Sequence, residues 1–141
     1  MLWVVVIVLL LAPTAFTWAA CRLMLAGALE IGGGRIAIYA KEFDARSPKA
    51  AYSVWMPGLQ AVVLNTRYVR EASREQIRYV MAHEVGHLRL GHARRHFLRA
   101  CAGYGLVVRA SQATLERFEQ EADAYASAVT GMSRCSTSPQ T

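Results

Sequence analysis

Cysteine is scarce in this chain of 141 residues: Cys21, Cys101 and Cys135 are the only three, and no two stand in a CxxC spacing. That disfavours a structural zinc knot, and any disulfide scheme leaves one thiol over, so the cysteines mark no compartment. Charge is missing altogether between Leu2 and Cys21. Those 20 residues, at about 1.5 Å each, match the roughly 30 Å of a bilayer's hydrocarbon core and read as an N-terminal transmembrane helix. A cleaved secretory signal ending near Ala19 and Ala20 is the alternative, but no Lys or Arg precedes the run and it exceeds the usual signal core. Pro13 would kink the span without excluding it, and Trp18 suits its interfacial end. Acid is also in deficit, with 10 acidic against 16 basic residues and a net charge of +6. Arg89, Arg94, Arg95 and Arg99 cluster, yet no nucleic-acid-binding motif accompanies them, so nucleic acid is not an expected partner and the excess suits a lipid bilayer. The positive-inside rule then puts the domain after a single-pass span on the cytoplasmic side. Gly32-Gly33-Gly34 lacks the lysine and helix start of a P-loop and reads as a joint.

What the chain does have is His83-Glu84-Val85-Gly86-His87. Residues four apart on a helix share a face, so His83 and His87 can offer two imidazole nitrogens to one cation. Glu84 lies about 100° round the helix, able to reach a water on that cation without being a ligand. Zinc lowers the pKa of such a water from about 15.7 towards 7, where a carboxylate can take its proton. The motif is set in a patterned helix rather than a bare one. Ser73 and Gln76 form a capping-box start, and Ile77, Val80, Met81, Val85 and Leu88 follow at helical spacing.

In chain order, residues 22–29 extend the first helix towards the interface. Ile36 to Tyr39, Ala51 to Met56 and Leu59 to Leu64 read as three short strands, with Pro57-Gly58 as a turn. Together they predict a small antiparallel sheet. The third strand, Leu59, Gln60, Ala61, Val62, Val63 and Leu64, precedes the motif helix and reads either as an edge along which an extended peptide could bind or as an ordinary core strand. The motif helix should run from Arg74 to Leu90 and restart beyond Gly91. His92 and His96 form a second pair four apart, which among so many arginines reads as a solvated basic face. Residues 97–108 are apolar but too short to cross a membrane, so they pack in the core or lie on a surface. A second long helix follows from Thr114 to Thr130, with Leu115, Phe118, Ala122, Tyr125 and Val129 as its apolar stripe and Gly131 as its stop. Residues 133–141 have too little apolar surface to fold.

Two histidines leave a tetrahedral zinc wanting one more protein ligand and an open position for water. Glu119, Glu121 and Asp123 all flank the stripe of the second long helix, and periodicity does not choose among them. Taken together, Ala51 to Gly58, Leu59 to Asn65, His83 to His87 and Glu119-Gln120-Glu121-Ala122-Asp123 resemble the gluzincin metallopeptidases of the HtpX and CAAX-prenyl-protease kind. That family pairs HExxH with a downstream ExxxD, and the likeness covers residues 35–130. It implies one zinc ion held by His83, His87 and Glu119, with Glu84 as general base. Asp123 would orient a metal-binding histidine, and Glu121 would be a helix-surface acid. Leu90 and Ala93 stand where a metzincin needs Gly and a third His. Tyr125, Tyr104 and His92 are the candidate transition-state donors.

The resulting expectation is an α+β, minimal zincin-like domain with an N-terminal transmembrane helix. Residues 1–30 form the anchor and its interfacial extension, 31–132 the zinc metallopeptidase domain, and 133–141 a disordered tail. Its activity would be that of a membrane-anchored zinc endopeptidase acting on a peptide or protein substrate, the cleft being shallow or completed by a protein partner. The competing expectation is a catalytically idle zincin-like scaffold or regulatory membrane protein, against which an intact Glu84 argues.

Overall fold

A computed structural model describes residues 2–32, 34–102 and 111–132, with the side chains of residues 2 and 4–10 outside the description. In chain order the elements are α1 (Leu2–Leu25), β1 (Leu29–Gly32), β2 (Ala37–Lys41), β3 (Ala51–Met56), β4 (Leu59–Asn65), α2 (Thr66–Glu71), α3 (Arg74–Arg89), α4 (His92–Cys101) and α5 (Gln112–Thr130). Tyr104 and residues 133–141 lie outside the described residues, as do the glycine at 33 and the apolar stretch from 103 to 108.

The four strands lie in the order β1-β2-β4-β3. Pro57 and Gly58, the latter at φ +82°, close a two-residue hairpin between β3 and β4, with Met56 opposite Leu59. Pro presets a negative φ at the first turn position, and Gly accepts the positive φ at the second. The expected antiparallel sheet is corrected here to a mixed one, because β2 and β4 run parallel while the other two pairings are antiparallel. The hairpin is the reason. β3 passes to the outside and β4 folds back into the gap beside β2, pointing the same way.

This topology also moves the expected edge. β4 is flanked on both sides, and Ala61 to Leu64 are at most 3% exposed. Successive strand residues face opposite sides of a sheet. Ala61 and Val63 therefore pack with Val54, Met56 and Phe97 on one face, next to Cys21 and Leu25 of α1. Val62 and Leu64 pack with Ala51 and Leu88 on the other, next to Val80, Met81 and Val85 of α3. An open edge belongs to β3.

The first helix ends sooner than expected, at Leu25, and β1 begins at Leu29, inside the stretch assigned to its interfacial extension. The carbonyl of Met24 accepts from the Tyr52 hydroxyl at 2.8 Å and from Lys41 Nζ at 3.1 Å, tying the helix end to β3 and β2. These side chains satisfy a carbonyl that the helix itself leaves without a partner. Among the described residues no helix is long and apolar enough to cross a membrane, so the expected span has no support from them.

The motif helix begins as its sequence indicates. Ser73 Oγ accepts from Gln76 N at 3.2 Å, and Gln76 Oε1 accepts from Ser73 N at 2.8 Å. α5 starts on Ser111, whose hydroxyl accepts from Thr114 N at 3.2 Å, and stops at Gly131 with φ +71°. α3 and α5 meet through small residues, with Ala82, Ala122 and Ala126 all buried. The approach is close at Gly86, where an added Cβ would stand 3.2 Å from the Tyr125 ring. Gly86→Val is therefore expected to destabilise the protein by about 1–3 kcal/mol through overpacking, and to weaken metal binding by displacing α5. Thermal unfolding and metal titration check this; a variant that melts and binds like the parent removes close helix packing as the constraint.

Candidate metal centre and active site

One turn of α3 brings the His83 and His87 rings together edge to face, their Nε2 atoms 3.1 Å apart. Glu119, presented by α5, places Oε2 3.4 Å from His83 Nε2 and Oε1 3.5 Å from His87 Nε2. Among the described residues this trio forms a group that could hold a metal ion, with its ligand atoms all within 4.8 Å of one another. Zinc bonds of about 2.0–2.1 Å in tetrahedral array put neighbouring ligand atoms roughly 3.3 Å apart. The three observed separations bracket that value.

The chemistry of the donors agrees with their spacing. His83 Nδ1 lies 2.8 Å from Asp123 Oδ1, which also accepts from the Tyr79 hydroxyl at 3.2 Å. A carboxylate only accepts, so the proton of a neutral His83 sits on Nδ1 and its Nε2 lone pair is bare. His87 turns its Nδ1 to His92 Nδ1 at 3.0 Å. Two bare imidazole nitrogens and a carboxylate held this close repel one another, and a shared cation relieves that repulsion. The residues present fit a zinc ion.

These groups line a cavity of about 830 Å3. Its walls are Thr17, Cys21 and Met24 of α1, residues 51–55 of β3, His96 and Phe97 of α4, and the motif residues His83, Glu84 and His87. Burial pushes the Glu84 carboxyl above its ordinary range. The nearby His83 imidazole and a hydrogen bond from Ser53 act against that shift, Glu119 adds to it, and Lys49 opposes it. A carboxyl so placed is poised to take and return a proton.

Of the candidate transition-state donors, neither His92 nor Tyr125 is among the residues that line the cavity. His92 is 1% exposed and sits behind His87, its second ring nitrogen 2.8 Å from Glu121 Oε2. That burial takes it out of the solvated basic face, which corrects that reading. Glu121 is correspondingly more than a helix-surface acid. Tyr125 packs on Gly86, and Tyr104 lies outside the described residues. Sequence reasoning passed over Ser53, Lys49, Tyr79 and His96 at this site. Only His96 carried a signal, since it and His92 stand four apart on the helix that follows the motif.

A helix-borne histidine pair, a carboxylate from a second helix and an adjacent glutamate beside a β-strand define a metallopeptidase of the zincin class. The chain belongs to peptidase family M48, whose sequence pattern matches residues 37–138. No curated protein and no solved structure gave a match.

In the metal-free protein, burial, with His83, His92 and His96 adding to it and Asp123 opposing, pushes His87 down from 6.5 to about 4. The unfolded chain therefore binds the extra proton between these two values, and stability falls as the pH drops through that window. The melting temperature of the metal-free protein should decline from pH 7 to pH 4.5, and His87→Gln should flatten the decline. Equal slopes for parent and variant would assign the effect elsewhere.

Proposed function

We propose that this chain is a membrane-anchored, zinc-dependent endopeptidase. The observation that carries the reading is the convergence of His83, His87 and Glu119 in the same cavity as Glu84 and the open side of β3. A zinc ion at that point would polarise the scissile carbonyl and acidify water towards a pKa of about 7. Glu84 accepts the proton of the attacking water and delivers it to the departing amine. Asp123 holds the His83 ring, and Tyr79 in turn holds Asp123.

β3 supplies the groove for the substrate. Among the described residues it pairs only with β4, through Ala51 to Met56, and its residues 51–55 wall the cavity. An extended peptide added along its outer side would gain backbone hydrogen bonds that do not depend on side-chain identity. Cleavage of varied sequences follows from that mode of binding.

Glu84→Gln should keep stoichiometric zinc and lose at least about 100-fold of the proteolytic rate on a general substrate such as casein. Undiminished cleavage by that variant would refute the assigned base. Stoichiometric zinc with no turnover by the parent would instead make the chain a scaffold.

Membrane attachment is assigned to α1 on its sequence. No charge occurs from Leu2 to Cys21, and Trp3, Leu11, Phe16 and Trp18 are exposed large apolar side chains. The basic domain then lies on the cytoplasmic side. The full chain should float with phospholipid vesicles and resist alkaline carbonate extraction; recovery in the soluble fraction at neutral pH would remove the anchor.

A further inference from the structure

We propose that His92 and Glu121 act as a positioning pair behind His87, fixing that imidazole in its metal-binding tautomer and thereby setting the affinity of the site. The inference rests on the metal centre proposed above and adds two residues to it. Gly91, at φ +77°, ends α3 and lets the chain turn into α4, so His92 becomes the first residue of the new helix and folds in under His87. Its ring stacks on Phe118 with centroids 4.1 Å apart and planes 11° from parallel. That contact, with exposure of only 1%, leaves the imidazole little freedom to rotate.

The direction of the hydrogen bonds follows from counting protons. Ligation by His87 needs a bare Nε2, so its one proton occupies Nδ1 and is donated to His92 Nδ1 at 3.0 Å. His92 must then keep its own proton on Nε2, where Glu121 Oε2 accepts it at 2.8 Å. The opposite arrangement would set two N–H groups against each other across 3.0 Å. Glu121 decides between the two because a carboxylate accepts and never donates. Arg117 Nε lies 3.6 Å from the other oxygen of Glu121.

On this basis each histidine ligand is backed by an acid. Asp123 reaches His83 directly, whereas Glu121 reaches His87 through an intervening imidazole. Both acids come from α5, the helix that also supplies Glu119, so one rigid element would present a ligand and the two groups that orient its partners.

Zinc affinity measured by competition with a chromophoric chelator tests the proposal, together with the visible spectrum of the cobalt-substituted protein and the melting temperature of the metal-free form. Glu121 is exposed enough for its variants to fold. Glu121→Ala and His92→Phe should each lower zinc affinity by about 10–100-fold, and Glu121→Lys, which cannot accept, should lower it at least as far. Glu121→Gln, which can still accept through its amide oxygen, should retain more affinity than either Glu121 variant. The cobalt spectra should change in intensity while the metal-free melting temperature of the Glu121 variants stays near that of the parent. Parent-like affinity and spectrum in Glu121→Ala, Glu121→Lys and His92→Phe would overturn the positioning role and leave the zinc site standing. A parent that binds no metal would overturn both.

Discussion

The close approach of α3 to α5 is the constraint on which the site depends. Glycine at position 86 and alanines at 82, 122 and 126 remove the side-chain bulk that ordinarily holds two helices apart. Helix axes separate according to the residues at their contact, and small ones give the shortest separations. At this spacing a glutamate on one helix can reach imidazoles on the other, which a contact built from leucines would prevent. The motif histidines and the acid that meets them are thus placed by residues with no chemistry of their own.

The sheet contributes a second constraint from the opposite side of α3. Val62 and Leu64 press on the face of α3 that carries Val80, Met81 and Val85, leaving His83, Glu84 and His87 to line the cavity. β3 brings Ser53 to the Glu84 carboxyl, and Lys49 stands just before the same strand. The glutamate is therefore held between groups that favour its charge and a buried setting that opposes it. An arrangement of this kind keeps a carboxyl responsive to small changes nearby.

Much of the chain was legible where the signal was local. Ser73 with Gln76, the Pro57-Gly58 turn and Gly131 each mark an element boundary by the chemistry of one or two residues, and the structure has its boundaries there. The HExxH spacing is local too, since one helical turn decides it. Sheet order was not legible, because the apolar run from Ala61 to Leu64 does not say which strands lie beside it; only the hairpin's return into the gap beside β2 makes β4 central. His92 was misjudged for a similar reason. Its neighbours Arg94 and Arg95 point to a solvated face, but the left-handed turn at Gly91 directs the first residue of α4 inward. The α2 helix, six residues from Thr66 to Glu71, was missed because its start rests on one capping contact from Asn65 and its apolar pattern is too short to register. Tertiary packing decided each of these, and a window of adjacent residues does not contain it.

Because the carboxylate and the imidazoles sit on separate helices, an ion bound by all three would be a removable crosslink between α3 and α5. Thermodynamic linkage then makes cohesion a function of the surroundings: free ion at 100 times its dissociation constant adds about 2.7 kcal/mol to the folded state. A chain that held such an ion would be buffered against unfolding wherever the ion is plentiful and loosened where chelators are abundant. Supply of the ion would govern how long the molecule persists as well as whether it can work.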